Sequence, residues 1–146
     1  MSLSSRADET AIRIAHPDEY ERLAALYLSW GYRGGISSAD VVYVAERGGR
    51  TAGMVRRTYE GGLTMLRGMY VDPVQQRHRV GAHLLRALVD DLDGAECFCL
   101  PFAHLVAFYA RGGFAIVAED AAPLFLVERL RRYREEGRDG LIMRRR

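Results

Sequence analysis

Lysine is absent from the chain, and all 21 basic residues are arginine. A chain without lysine offers no side-chain amine for a Schiff base and no P-loop lysine. Arginine instead suits two-point recognition of phosphate or carboxylate groups. Residues 128–146 form an arginine-rich tail, but the net charge is only +2. We therefore expect no nucleic-acid partner.

Cysteine is scarce, with only Cys97 and Cys99 in the chain. Residues two apart on a strand point to the same face, which is poor geometry for bridging them to each other. This spacing excludes a disulfide framework, and the lack of nearby histidines argues against a metal site. We expect two small, buried apolar side chains.

Long apolar runs are also missing, since no stretch approaches the roughly 18–20 residues of a membrane span. The polar start of the chain is unlike a secretory signal peptide. Hydrophobic residues make up 49% of the 146 residues and charged residues 27%, a globular balance. We expect a disordered segment over residues 1–9, a single domain over residues 10–146 and a cytoplasmic location.

Strands and helices alternate along the chain. Period-two patterns predict strands over residues 10–15, 41–46, 51–59, 63–71, 95–100, 114–117 and 141–143. Helical spacing predicts helices from residue 18 to about 30, over 81–92, from about 103 to 111, and between Pro123 and Gly137. This order predicts an α/β (mixed α+β) domain, with a mixed sheet and helices on its faces.

A basic loop joins the strand over residues 63–71 to the helix that follows it. A helix that opens from such a loop directs free N–H groups and the positive end of its dipole towards a bound anion. Arg77, His78 and Arg79 add charged donors, and Gly81 allows close approach of a ligand to the backbone. The loop predicts a phosphate site, and an ordinary solvated loop is the alternative.

Gly68 interrupts the same strand. A glycine inside a buried strand often marks a bulge, where the backbone separates from its neighbour. The backbone groups of Met69, Tyr70 and Val71 could then pair with a ligand that behaves as an extra strand. The alternative is a glycine required only for packing. A long amide-bearing molecule that ends in phosphates would satisfy both the bulge and the basic loop.

Two motifs resemble those of a known family. The run Val71-x-Pro73-x-x-Gln76-x-x-Arg79-x-Gly81-Ala82 resembles the acetyl-coenzyme A (acetyl-CoA) signature Gln/Arg-x-x-Gly-x-Gly/Ala of the GCN5-related N-acetyltransferases (GNAT). Tyr109, followed by Gly113-Phe114, is similar to the second signature of that family. With the order of elements, the resemblance covers roughly residues 11–118.

The resemblance implies an acyl-CoA N-acyltransferase-like fold, with a mixed, mostly antiparallel sheet of about seven strands flanked by helices. It implies acetyl-CoA as acyl donor and no metal. The implied acetyl-CoA-binding residues are Met69, Tyr70, Val71, Gln76, Arg77, His78, Arg79, Val80, Gly81 and Ala82. Tyr109 would protonate the leaving thiolate, which suits a phenol of pKa about 10. The alternative for Tyr109 is an aromatic residue on the helix surface that caps the core.

The sequence departs from the family pattern at three positions. Arg79 replaces the first glycine of the signature, Phe102 replaces an asparagine that contacts the cofactor, and Met65 replaces a glutamate that serves as general base. At Arg79, either the backbone is strained by a positive φ or the side chain reaches a phosphate. Candidates for a replacement base rest on proximity alone: Asp40, Glu46 and Glu60.

The acceptor site implied by the resemblance lies between the segment after the first helix and the C-terminal elements. We expect Trp30, Tyr32 and Arg33, with the region around Phe125, to hold a small molecule that bears a carboxylate. Core packing for Trp30 and a solvated loop for Arg33 are the alternatives.

We therefore expect an acyltransferase that moves acetyl from acetyl-CoA to a primary amine of a small molecule or amino acid, by direct transfer in a ternary complex. One alternative is a non-catalytic sensor of acetyl-CoA or CoA. The other is an acetyltransferase that acts on a protein or on an aminoacyl-tRNA amine. A homodimer is possible, since dimers are common among proteins of this kind.

Overall fold

Seven strands form one sheet in the computed structural model, which describes residues 9–146. The strands are Ala11–Ile14 (β1), Val41–Arg47 (β2), Arg50–Glu60 (β3), Leu63–Val71 (β4), Cys97–Cys99 (β5), Ala115–Ile116 (β6) and Met143–Arg145 (β7). Their order across the sheet is β1-β2-β3-β4-β5-β7-β6, and the β4–β5 pair alone is parallel. The mixed, mostly antiparallel sheet of about seven strands is confirmed.

Within the described residues, four α-helices lie against the sheet: Tyr20–Ser29 (α1), Val80–Leu92 (α2), Val106–Ala110 (α3) and Leu124–Glu135 (α4). Short 3-10 turns span Pro17–Glu19, Pro73–His78, Ala103–Leu105 and Glu119–Ala121.

The sheet is covered on both faces because neighbouring strand residues alternate between two cores. Tyr43 and Ala45 pack on the α2 face, whereas Val42 and Val44 pack on the α1 face. The apolar stripe of α2 is buried as its spacing predicts, through Leu84, Leu85, Leu88 and Leu92. Each buried leucine contributes about 1.5–3 kcal/mol by leaving water. Helix α4 buries Leu126 and Leu130 against the half of the opposite face near β5.

The two cysteines are free and buried, as predicted. Cys97 and Cys99 pack on the α2 face of β5, and Phe98 between them points to the α4 face. Burial raises the pKa of Cys97 to about 12, with smaller opposing effects from Arg57 and Arg145. Both side chains therefore act as apolar packing groups.

The predicted position of the last strand is wrong by two residues. The sequence pattern predicted it over residues 141–143, but β7 spans Met143–Arg145. The Leu141 N–H donates to the Pro101 carbonyl, and Gly140 forms an isolated bridge to Phe102, so the chain reaches the ladder later. The arginines of β7 remain half-buried, since a long aliphatic stem packs while its charged end reaches water.

Three further predictions concern the N-terminal segment, membrane-spanning helices and metal sites. The disordered segment predicted over residues 1–9 lies, apart from Glu9, outside the described residues. In the described part of the chain, no helix is long and apolar enough to cross a membrane. Within the same residues, no group of His, Cys, Asp or Glu side chains is arranged to hold a metal ion.

Candidate active site

A cleft of about 1240 Å³ opens where β4 and β5 diverge. Among the described residues, β4 pairs with β5 only at Met65 opposite Phe98. Beyond that point, residues 67–71 line the cleft on one side and residues 99–102 on the other. The backbone of β4 therefore presents an edge to the cleft, as an extended ligand requires.

The β4 edge contains the bulge predicted at Gly68. The pairing of β3 with β4 shifts register there, since Arg56 pairs with Arg67 but Met54 pairs with Tyr70. Gly68 has φ +67°, and an added Cβ would lie only 2.6 Å from the Tyr27 hydroxyl. That hydroxyl donates to the Gly68 carbonyl at 2.7 Å. The bulge is thus both a backbone requirement and a close approach between β4 and α1.

The loop that leads into α2 forms one end of the cleft. Asp72 caps its 3-10 turn by accepting from the Val74 N–H at 3.0 Å. Of the predicted loop residues, four line the cleft: Gln76, Arg79, Gly81 and Ala82. Three do not: Arg77 and His78 are exposed outside the lining, and the Val80 side chain is buried in the core. The first turn of α2 therefore faces the cleft with its free N–H groups.

Arg79 adopts the left-handed conformation, with φ +57° and ψ +29°, immediately before α2. The position therefore requires the positive φ for which the family signature uses glycine. A non-glycine residue in this region is strained by about 1–2 kcal/mol. Arg79 also lines the cleft. Its backbone is therefore strained, and its side chain also lies within the site.

Tyr109 lies in the wall of the cleft on α3, with only 6% of its surface exposed. Its ring packs edge-on against Phe108 and Phe114, with centroids 5.0 Å and 6.2 Å away. Burial raises the pKa of Tyr109 above its usual value near 10, and the neighbouring Cys99 adds to the rise. The hydroxyl therefore keeps its proton through neutral and mildly alkaline pH.

The other two departures also lie at the cleft. Phe102 is 41% exposed in the lining and stacks on His104 with centroids 5.9 Å apart. Met65 is fully buried below the cleft, and its sulfur accepts from Arg129 Nη1 at 3.7 Å. A thioether at this position can accept a weak hydrogen bond but cannot remove a proton from an amine.

None of the three carboxylates considered as a replacement base is among the residues that line the cleft. Asp40 is buried in an ion pair with Arg56, and Glu46 pairs with Arg13. Glu60 is half-buried, which opposes its ionisation. Hydrogen bonds from Thr58 and Arg129 outweigh that effect and lower its pKa. Glu60 is therefore an ionised, fully engaged carboxylate and a poor base.

The predicted acceptor residues divide between the cleft and the core. Tyr32 and Arg33 line the cleft. Trp30 lies outside the lining and packs against the core between α1 and the sheet. Phe125 is also outside the lining, since its ring lies under Gly61 and below the Arg129 guanidinium at 4.7 Å.

The lining residues that were not anticipated as part of a site include Arg67, Tyr133, Arg138 and Asp139. The first of them lies in the motif strand beside Gly68, and the others follow one another closely at the end of α4. The only sequence signal for Tyr133, Arg138 and Asp139 was the arginine-rich tail that contains them. The fold brings the tail to the cleft because the Leu141 N–H binds Pro101, next to β5.

A buried ion pair holds the loop that contains Tyr32. Arg56 is 3% exposed, and its Nη1 donates to Asp40 Oδ2 at 2.8 Å while its Nη2 donates to the Tyr32 hydroxyl. Asp40 Oδ2 also accepts from the Ser37 N–H at 2.8 Å, and the Asp40 carbonyl accepts from Tyr20 at 2.6 Å. The segment from Tyr32 to Asp40 is thereby fixed to β3 and α1.

Comparison with known proteins identifies the family to which this arrangement corresponds. Residues 38–116, more than half of the chain, match the family described as Acetyltransferase (GNAT) domain. No curated protein sequence matches the chain.

Solved structures with the same fold include three bacterial proteins. N-acetylglutamate synthase from Neisseria gonorrhoeae, complexed with coenzyme A and N-acetyl-glutamate, has a TM-score of 0.67 and 24% identity over 94% of this chain. The chain spans about a third of that protein, 35% of its length. Escherichia coli ribosomal-protein-S18-alanine N-acetyltransferase has a TM-score of 0.66, with 17% identity over 94% of this chain and 93% of its own. Escherichia coli ElaA has a TM-score of 0.69, with 15% identity over 94% and 100%.

Proposed function

Because the chain belongs to the GNAT acetyltransferase family, we propose that it transfers acetyl from acetyl-CoA to a primary amine of a small molecule or amino acid, directly within a ternary complex. One observation carries this proposal. A single cleft contains the free edge of β4, the first turn of α2 and the buried hydroxyl of Tyr109. The coenzyme A bound to the gonococcal synthase supports the donor.

The cleft residues fit a long, amide-bearing donor that ends in phosphates. Backbone groups of Met69 and Val71 lie on the free edge of β4, where they pair with amides of the pantetheine arm. The N–H groups at the start of α2, with Arg79, bind the phosphates. Gly81 adds no side chain at this point of the lining, where an added Cβ would lie in van der Waals contact with Phe108 at 3.4 Å.

When bound, acetyl-CoA supplies a thioester carbonyl as the electrophile. The Tyr109 hydroxyl holds the proton that the departing thiolate takes up. Burial raises the pKa of Cys99, a thiol in the same cleft wall, well above its usual value. The same burial keeps the Tyr109 hydroxyl protonated until the thioester C–S bond breaks, when its proton would pass to the sulfur.

The attacking amine must be neutral, so a group in the cleft has to accept its proton. Among the described residues that line the cleft, Asp139 is the only carboxylate. We assign to Asp139 the removal of this proton, directly or through one bridging water. The assignment replaces Asp40, Glu46 and Glu60, which lie outside the lining and whose carboxylates are engaged by arginines.

Calorimetric titration with acetyl-CoA tests the donor site. We expect about one molecule bound per chain in the micromolar range, close to −8 kcal/mol. Thiol release with a broad panel of amines then tests transfer. Binding without thiol release from any amine would instead indicate a CoA-binding sensor. No binding at high micromolar acetyl-CoA would mean that the chain shares the fold of the family but not its donor site.

Replacing Arg79 with glycine should raise stability and weaken donor binding at once. Relief of the left-handed strain, about 1–2 kcal/mol, exceeds the entropy that glycine loses on folding, about 0.5–1 kcal/mol. Loss of a charge-assisted phosphate contact should raise the dissociation constant of acetyl-CoA about tenfold. Chemical denaturation and calorimetry measure the two effects.

Asp93 provides the matched control, because it is the other non-glycine residue with positive φ (+49°) in the described chain and it lies outside the cleft lining. Asp93→Gly should gain similar stability with no change in acetyl-CoA affinity. If Arg79→Gly binds acetyl-CoA as tightly as the wild type, the Arg79 side chain does not contact the donor.

A further inference from the structure

Two arginines lie side by side at the β4 bulge, and each supports a phenol in the cleft wall. Arg56 on β3 and Arg67 on β4 are direct cross-strand partners, so their side chains leave the same face of the sheet. Arg56 Nη2 donates to the Tyr32 hydroxyl, and Arg67 Nη2 donates to the Tyr133 hydroxyl at 3.2 Å. We call these four residues the phenol clamp, since Tyr32 lies on the α1 side of the cleft and Tyr133 on the α4 side.

Each arginine of the clamp also contacts a carboxylate in addition to its phenol. Arg56 is buried against Asp40, and its guanidinium lies 5.7 Å from the centre of the Tyr27 ring. Arg67 Nη1 binds Glu60 at 3.2 Å.

The Glu60 carboxylate is itself fixed by two other groups. Thr58 donates to it at 2.6 Å and Arg129 at 2.9 Å. Because Glu60 serves two guanidiniums, it cancels only part of the positive charge that Arg67 brings to the cleft.

The clamp leaves two phenolic protons without an acceptor. A tyrosine hydroxyl has a single proton, and its oxygen can accept as well as donate. In Tyr32 and Tyr133 the oxygen already accepts from an arginine, so the proton remains to be donated elsewhere. Within residues 9–146, neither hydroxyl donates a hydrogen bond to the protein. Two O–H donors supported by guanidinium charge suit an anion and oppose a cation.

The charges along the cleft divide it into two ends. Arg79 and Arg111 lie at the end formed by α2 and α3, where the donor phosphates are expected. Arg33, Arg67 and Arg138 line the other part, and Arg138 lies over the Tyr133 ring at 4.5 Å. The acceptor end is therefore also basic, and Asp139 is its one carboxylate in the described lining.

We propose that the acceptor is an amino acid with a free carboxylate, which the hydroxyls of Tyr32 and Tyr133 and the guanidinium of Arg67 bind, while its amine faces Asp139. This inference rests on the proposed acetyl transfer and specifies its substrate class. No bond is made or broken in the clamp, because it only binds and orients the acceptor.

An acceptor panel at saturating acetyl-CoA tests the charge requirement. L-alanine, L-phenylalanine and L-glutamate are each compared with the corresponding α-amide, and tyramine and putrescine serve as amines without a carboxylate. Thiol release should favour each acid over its amide by about 10- to 100-fold in kcat/KM, the range expected for hydrogen bonds to a charged group. Equal or better use of the amides or of the two simple amines would overturn the proposal.

Variants of the clamp test the named residues. Tyr133→Phe keeps the ring under Arg138 but removes the donor, so KM for the preferred acid should rise about tenfold. KM for acetyl-CoA should not change, and activity towards the matching amide should fall much less than activity towards the acid. Tyr59→Phe is the control, because Tyr59 is a half-exposed tyrosine on β3 outside the cleft lining. A loss that is equal for acid and amide would show that Tyr133 is only structural.

Failure of the proposed function is distinguished from failure of the clamp by a binding measurement. The same acids and amides are titrated calorimetrically onto the protein saturated with CoA, where no transfer occurs. Acids that bind wild type better than Tyr133→Phe support the clamp even if no amine releases thiol. Thiol release from tyramine with no preference for acids would retain the transferase and reject the clamp.

Discussion

Tyr109→Phe should lower kcat by about 100-fold or more, within the 10²–10⁴ range expected for a positioned general acid. The phenyl ring should keep its edge-on contacts with Phe108 and Phe114, so the packing of the cleft wall should not change. The dissociation constant of acetyl-CoA should therefore stay within about twofold, since it reflects binding and not the proton transfer. Stopped-time thiol assays and calorimetric titration measure the two quantities on the same preparation.

The Tyr109 result requires a control for the loss of any buried hydroxyl. Tyr43 supplies it, because it is 2% exposed and donates to Asp91 at 2.5 Å, outside the residues that line the cleft. Tyr43→Phe should lower stability by about 1 kcal/mol through the lost hydrogen bond and leave kcat unchanged. If Tyr109→Phe instead loses acetyl-CoA binding while kcat at saturation is kept, Tyr109 supports the site and is not the acid.

The sequence predicted the donor half of the cleft because local chemistry specifies it. The glycine of the bulge, the basic loop and the start of α2 lie in one continuous stretch, and positive φ at Gly68 is a local requirement. The same stretch also contains features that its motif does not predict. The motif alone did not show that Arg79 is left-handed or that Arg77 and His78 lie outside the cleft lining, because both depend on how the 3-10 turn leads into α2.

The acceptor half was predicted less well because it is assembled from distant segments. Arg67 and Tyr133 are 66 residues apart in sequence and meet only through the packing of α4 on the sheet. Arg56 has no motif, and an arginine inside a strand pattern would ordinarily be assigned to solvent. Arg56 is buried because the loop that ends at Asp40 folds over it and supplies the carboxylate that pairs with it. Trp30 and Phe125 were expected at this site for their aromatic character, yet both serve packing.

Asp40→Asn should give the largest loss of stability among the changes considered, about 3 kcal/mol or more, because it leaves the Arg56 charge buried without its partner. The side chains of this pair are 4% and 5% exposed, so water cannot replace the missing carboxylate. The amide also weakens the contact with the Ser37 N–H that closes the loop. For a domain of this size such a loss corresponds to a fall of about 10 °C in Tm, measured by thermal and urea denaturation.

An exposed pair provides the matched Asp→Asn control for Asp40. Asp90 lies 3.6 Å from Arg86 on α2, with side chains 68% and 81% exposed, and such pairs contribute under about 1 kcal/mol. Equal losses in Asp40→Asn and Asp90→Asn would mean that the buried pair does not stabilise the fold. A second readout links the pair to the cleft. Because Arg56 holds both Asp40 and Tyr32, freeing the loop should raise KM for the acceptor more than KM for acetyl-CoA. If both constants rise together, the buried pair supports the fold as a whole and has no particular role in positioning the acceptor.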